Sequence, residues 1–168
     1  GHLIEVLKLS MACWQIANED STRYKIQAAK RLGIKVTTGG SPFEISARFN
    51  KTAEFLNLCA DLGVTRVEVG EGFANNHFDP ELIVRQCQEL GLEVQFELGE
   101  KHKGAFTSKI IGELIDQGNA WLDAGAVQLI IEARESANDI GLFDAEGVFD
   151  VDGATRFVEA FGYNAVSF

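Results

Sequence analysis

The sequence predicts an α/β protein in which a parallel sheet is wrapped in helices. Three observations carry the prediction. Five times a helical stretch ends in glycine and runs straight into a short apolar strand, at Gly33, Gly63, Gly91, Gly125 and Gly162. Glycine suits the position just past a helix end because it enters the left-handed region without a Cβ clash. The second observation is the period. These glycines are 30, 28, 34 and 37 residues apart, and about 30 residues make one strand, one helix and two loops. The third is strand composition: Leu129-Ile130-Ile131 is apolar throughout, as a strand buried on both faces requires.

Strands are expected near 3–9, 34–38, 65–70, 92–98, 127–132 and 163–168. Asp20 and Ser21 precede a helix ending near Leu32, and Asn50 opens one ending near Leu62. Asp79 followed by Pro80 is an N-cap with proline at the first helical position, for a helix ending near Leu90. Thr107 or Ser108 opens a longer helix ending near Ala124, and Asp152 opens the last, ending near Phe161. Phe55, Leu58, Cys59 and Leu62 recur at helical spacing. The segment 136–150 is a long loop, and long loops in compact domains are often functional.

Six strands fall short of the eight that close a parallel barrel, whereas an open doubly wound sheet can end at six. The chain begins and ends inside apparent strands, and no helix follows Ala165-Val166-Ser167-Phe168 to cover it. The reading is a TIM-type (β/α) barrel, one domain over residues 1–168, incomplete at both ends with about six of eight strands. Raw sheet edges pair with other chains, so a homo-oligomer is expected.

Composition narrows the function. The net charge is −10 with no lysine-arginine block, which argues against a nucleic-acid surface. No apolar run reaches the roughly 18 residues of a membrane span, and no signal peptide is visible. Cys13, Cys59 and Cys87 are odd in number and lack CxxC spacing, so a cytoplasmic, reducing location is expected. Cys59 and Cys87 read as core residues, Trp14 and Trp121 as packing, and His77 and His102 as surface residues.

In βα folds the chemistry sits beyond the carboxyl ends of the strands. Those ends supply Lys8, then Gly39, Gly40 and Ser41, then Glu68 and Glu71, then Glu97 and Lys101, then Glu132, Arg134 and Glu135. Carboxylates gathered at one barrel mouth need a cation or protons to offset their repulsion. A hard ion such as Mg²⁺ would take Glu68, Glu97 and Glu132 as oxygen ligands. Lys8, Lys101 and Arg134 would face an anionic substrate. The competing reading is a structural salt-bridge network across the mouth. Gly39-Gly40-Ser41 reads either as a plain turn or as an anion-binding nest. There is no GxGxxG and no GxxxxGK, so a nucleotide fold has no support.

At these residues the chain resembles the phosphosulfolactate synthase family, which includes plant heat-stress-associated relatives. The matching segments are Thr38-Gly39-Gly40-Ser41-Pro42-Phe43-Glu44, Val67-Glu68-Val69 with Glu71-Gly72, Ile131-Glu132-Ala133-Arg134-Glu135-Ser136, and Gly141-Leu142-Phe143-Asp144 with Glu146-Gly147. Lys8 stands where that family carries a lysine on its second strand. The resemblance implies a TIM barrel spanned here from the second strand to the start of the seventh. It also implies a carbon–sulfur lyase that adds sulfite to phosphoenolpyruvate with Mg²⁺, giving phosphosulfolactate for coenzyme M or related sulfonates. Catalytic roles then fall to Lys8, Lys101 and Arg134, and substrate binding to Gly39, Gly40, Ser41, Arg134 and Ser136. Relative to the family pattern, Ser10-Met11-Ala12-Cys13 replaces a glycine-rich stretch, Glu100 replaces a lysine, and Ala133 and Ala137 replace glycines. Two other readings stand beside the lyase: a catalytically inert barrel with a stress-related role, and another Mg²⁺-dependent barrel enzyme acting on a phosphorylated acid.

Overall fold

Each strand lies beside the one that precedes it in the chain. Among the described residues a single sheet runs in the order β1 (Val6–Leu9), β2 (Lys35–Thr38), β3 (Arg66–Gly70), β4 (Glu93–Leu98), β5 (Gln128–Ile131) and β6 (Val166–Ser167). Every neighbouring pair is parallel. The structure is a computed structural model and describes residues 3–10, 12–72, 77–100, 104–133 and 136–168. The helices are α1 (Cys13–Ile16), α2 (Glu19–Arg31), α3 (Gly40–Arg48), α4 (Thr52–Leu62), α5 (Pro80–Glu89), α6 (Ser108–Ala124) and α7 (Val151–Phe161).

The sheet is curled. Lys8 on β1 meets Glu68 on β3, and Arg66 on β3 meets Gln128 on β5, each across an intervening strand. Neighbouring strands lie about 4.8 Å apart, so these contacts bridge a concave inner face. The α/β fold with six parallel strands in a partial barrel is therefore as the sequence predicts. No described helix is long and apolar enough to cross a membrane.

All five helix-ending glycines have positive φ, between 72° and 107°. Several caps differ from expectation. Asn18, not Asp20 or Ser21, caps α2, its Oδ1 accepting from Ser21 N at 2.9 Å. Asp150, not Asp152, caps α7, accepting from Gly153 N at 2.9 Å. Asn50 lies in the left-handed region at φ 53° between α3 and α4 rather than opening α4. Asp79 and Thr107 cap α5 and α6 as expected. The helix α3 was not foreseen, because Gly39-Gly40-Ser41 reads as a turn or an anion-binding nest. Here Gly39 is the N-cap, and Pro42 falls in the first turn, where a missing N–H costs nothing.

The apolar core lies between sheet and helices. Val67, Val69, Val94, Phe96, Leu98 and Leu129 meet Ile26, Leu56, Cys59, Val84, Cys87, Trp121 and Phe157 there. Trp121 stacks on Phe96 at 4.2 Å, a packing role as expected. The inner face is different. Strands β3 (Arg66-Val67-Glu68-Val69-Gly70) and β4 (Glu93-Val94-Gln95-Phe96-Glu97-Leu98) alternate strictly, with polar residues inward. β3 and β4 thus depart from the expectation of strands apolar on both faces, whereas β5 is the strand expected at Leu129-Ile130-Ile131, with Leu129 and Ile131 buried. The inner side chains satisfy one another by pairing instead.

Candidate active site at the carboxyl ends of the strands

The alternation that packs Val67 and Val69 outward turns Glu68 inward. Glu68 is 1% exposed, yet its carboxylate is fully engaged. Oε1 stands 2.7 Å from Lys8 Nζ and accepts Gly40 N–H at 2.8 Å, and Oε2 accepts Gln95 Nε2 at 2.7 Å. Lys8 is itself half exposed. Two residues expected in separate roles, cation for substrate and ligand for metal, are thus an ion pair. Gly40 N belongs to the first turn of α3, where backbone N–H groups and the helix dipole attract anions. In this structure the anion that Gly40 meets is Glu68.

Glu97 and Glu132 are also buried, but the three glutamates are not level. In the β3–β4 register Glu68 faces Gln95, while Glu97 faces Gly70, two residues further along. In the β4–β5 register Glu97 faces Ile130, so Glu132 follows two residues beyond that. The carboxylates climb the mouth like a staircase. Among the described residues no group of three His, Cys, Asp or Glu side chains is placed to hold one metal ion.

Another carboxylate beside Glu97 is Glu44, which the sequence reading did not select. Glu44 is 2% exposed on α3. Its Oε1 lies 3.3 Å, and Glu97 Oε2 3.4 Å, from the point where a Cβ on Gly70 would sit. A Cβ on Gly40 would stand 3.6 Å from both Glu68 Oε1 and Glu97 Oε2. The two glycines leave room around Glu97. This donor set fits Mg²⁺ held in its usual way, by one or two carboxylates with water and substrate oxygens. It does not resemble a cage built from Glu68, Glu97 and Glu132. The signal for Glu44 was a helical phase hidden by the glycines before it.

Beside Glu97 opens a cavity of about 480 Å³, walled by Glu71, Gly99, Glu100, Phe106, Leu114 and Gln117 among others. Glu71 braces this wall, with Oε1 accepting Phe78 N–H at 2.9 Å and Oε2 accepting Gln117 Nε2 at 2.9 Å. The loop before α6 is clasped to the loop after β5. Phe106 N–H donates to Gly141 O at 2.7 Å, and Ala105 N–H to Asp139 Oδ1 at 3.1 Å. Gly141 approaches so closely that a Cβ there would stand 2.3 Å from Glu132 O.

Of the remaining expected residues, Gly39 is buried, Ser41 is half-buried and Ser136 is exposed. Lys101, Arg134, Glu135 and His102 lie outside the described residues. His77 is on the surface, and Cys59 and Cys87 are buried, as expected.

Residues 1–168 match the profile of a family described as (2R)-phospho-3-sulfolactate synthase (ComA). The chain belongs to this family. It is 35% identical over 148 residues to the phosphosulfolactate synthase of Methanocaldococcus jannaschii, covering 88% of this chain and 59% of that protein. It is 23% identical over 145 residues to the phosphosulfolactate synthase of Methanothermobacter thermautotrophicus, covering 86% and 56%. The chain thus spans less than two thirds of the length of either relative. Among solved structures it is similar to a D-psicose 3-epimerase in the presence of D-fructose, with TM-score 0.47 and 11% identity. Another is the D-psicose 3-epimerase with D-tagatose from Clostridium cellulolyticum H10, with TM-score 0.49 and 13% identity. Each covers 96% of this chain and 73% of the other, and likeness of this degree carries no argument.

The synthase-family segments meet in two pairs in the structure. Gly39 to Glu44 start α3 above Glu68, and Gly141 packs on the backbone of Glu132. Ala137, where the family pattern has glycine, keeps a left-handed backbone at φ 48°.

Proposed function

We propose that the chain carries the site of a phosphosulfolactate synthase, a carbon–sulfur lyase that adds sulfite to phosphoenolpyruvate. The single observation that supports this most is the buried Glu68 holding Lys8 at the strand mouth beside the start of α3, inside the family's own motifs. An ammonium has three donors, so Lys8 can pair with Glu68 and still donate to a small anion through its exposed side.

The sulfur lone pair of sulfite forms the new bond to C3 of phosphoenolpyruvate, and the alkene electrons shift toward the substrate carboxylate. A proton delivered to C2 then completes the product. Lys8, or Lys101, is the proton donor in this reading. Arg134, with Ser136, holds an anionic group through its forked donors. Mg²⁺, when bound, would neutralise charge growing on the substrate carboxylate. Glu97 with Glu44, and Glu132 beyond them, would hold it. Glu68 keeps Lys8 in place.

One observation favours a second reading, a synthase-like protein without this turnover. Glu100 lines the cavity together with Glu71, Glu97 and Glu113, and such a wall disfavours a doubly anionic substrate. Incubation of the protein with phosphoenolpyruvate, sulfite and Mg²⁺, followed by ³¹P NMR, separates the two. A new phosphate-ester resonance that disappears in Lys8→Met is expected. No product, or equal product from Lys8→Met, would overturn the proposal.

A further inference from the structure

Below the mouth, the inner face holds a continuous hydrogen-bonded chain that runs from Lys35 up to the Glu68–Lys8 pair. Lys35 Nζ lies 2.6 Å from Glu93 Oε1. Glu93 Oε2 accepts from Arg66 Nε at 3.1 Å and Nη2 at 3.0 Å. Arg66 Nη1 donates to Gln128 Oε1 at 2.7 Å and to Gln95 Oε1 at 3.3 Å. Gln95 Nε2 donates to Glu68 Oε2 at 2.7 Å, and Glu68 Oε1 receives Lys8 and Gly40.

The direction of this chain is dictated by chemistry. Arginine only donates and an ionised carboxylate only accepts. A primary amide fits between them one way round, with oxygen toward Arg66 and nitrogen toward Glu68. Turning it over would set N–H against N–H at one end and oxygen against oxygen at the other. Arg66 is 5% exposed and Gln95 3%, so neither end can turn to water. In such surroundings a satisfied network is rigid and a broken one is costly.

We infer that Gln95, oriented by Arg66, is a positioning residue that sets the plane of the Glu68 carboxylate and thereby the place of the Lys8 ammonium. With Gln95 holding Oε2, only Oε1 is left to Lys8. Without it both oxygens compete for one ammonium, and Lys8 is drawn inward from the opening. The part concerning turnover rests on the synthase reading; the part concerning Lys8 does not.

The test uses the protein at its full encoded length, labelled with ¹⁵N-lysine, with the side-chain ammonium of Lys8 observed by NMR. Turnover of phosphoenolpyruvate and sulfite is measured in parallel. Gln95→Met removes both bonds of the amide at similar volume. Gln128→Met removes another acceptor of Arg66 without touching Glu68. In Gln95→Met the Lys8 resonance shifts and exchanges faster with water, and kcat falls about 10–100-fold, as when an outer partner is lost. In Gln128→Met the Lys8 resonance stays in place. If Gln95→Met does not fold, Gln95→Asn, which keeps an amide too short to span both partners, gives the same shift. An unchanged Lys8 resonance in a folded Gln95 variant, or the same shift in Gln128→Met, would overturn the inference. Absence of turnover in the unmodified protein would instead count against the synthase reading, and the Lys8 signal would still decide this one.

Discussion

Glu97 of β4 stands level with Gly70 of β3, its Oε2 3.4 Å from where a Cβ on Gly70 would sit. Glu44 Oε1 is closer still to that point, at 3.3 Å. Gly70 has no positive φ, so an alanine there meets no backbone strain. Its lower unfolded-state freedom stabilises by about 0.4–1 kcal/mol, which offsets the crowding of two carboxylate ends. Gly70→Ala therefore leaves the urea midpoint nearly unchanged. Mg²⁺ affinity falls by about tenfold, as read by isothermal titration calorimetry. An unchanged Mg²⁺ titration would remove Glu44 and Glu97 from the ion's surroundings.

Ala137 occupies the left-handed region at φ 48°. That conformation costs a residue with a Cβ about 1–2 kcal/mol. Glycine escapes the cost but gives back about 0.4–1 kcal/mol through its freer unfolded chain. Ala137→Gly is expected to raise stability by about 0.5–1 kcal/mol in urea denaturation. A loss of stability would show that the loop holds this backbone by contacts of the methyl group.

Burial pushes the thiols of Cys59 and Cys87 up to about 12, with the neighbouring Cys87 adding to the effect on Cys59. Cys13 is exposed, its Sγ 2.8 Å from Ser10 O. Only the thiolate attacks a disulfide reagent. Near pH 8 one thiol should react promptly and the other two only in denaturant. Three fast thiols would mean that α4 and α5 open readily under native conditions.

Burial raises the Glu93 carboxyl, but hydrogen bonds from Lys35 and Arg66 outweigh it and hold the group below its ordinary 4.5. A folded value below the unfolded one stabilises the protein above the ordinary value and ceases to do so as pH falls through the folded value. Because Glu93 is about a third exposed, the contribution is under about 1 kcal/mol. Thermal melts of Glu93→Gln should show a shallower loss of Tm from about pH 5 to pH 3 than the unmodified protein. An equal or steeper loss would assign the acid sensitivity to other carboxylates.

Much of the fold was legible along the chain because its signals are local. A left-handed glycine after each helix and a period of one βα unit need no knowledge of distant residues, and right-handed crossovers then leave sequential order as the natural arrangement. The start of α3 was hidden for an equally local reason, since Gly39, Gly40 and Pro42 suit a turn as well as a first helical turn. The alternation in Arg66-Val67-Glu68-Val69 and Glu93-Val94-Gln95-Phe96 is equally local, and it marks the inner polar face that holds Arg66 and Gln95.

What the sequence by itself determined is which residues reach the strand mouths: Lys8, Glu68, Glu97 and Glu132 all come from that reading. Their heights and partners were decided only by tertiary structure. Register between parallel strands is set by pairing across the sheet, and a shift of two residues keeps a side chain on the same face while moving it about 6.6 Å along the strand. That shift places Glu97 opposite Gly70 rather than Glu68. It leaves Glu68 to Lys8, Gly40 and Gln95, and it brings Glu44 from a helix beside Glu97. Spacing along the chain carries no record of such shifts, because each depends on how neighbouring elements pack.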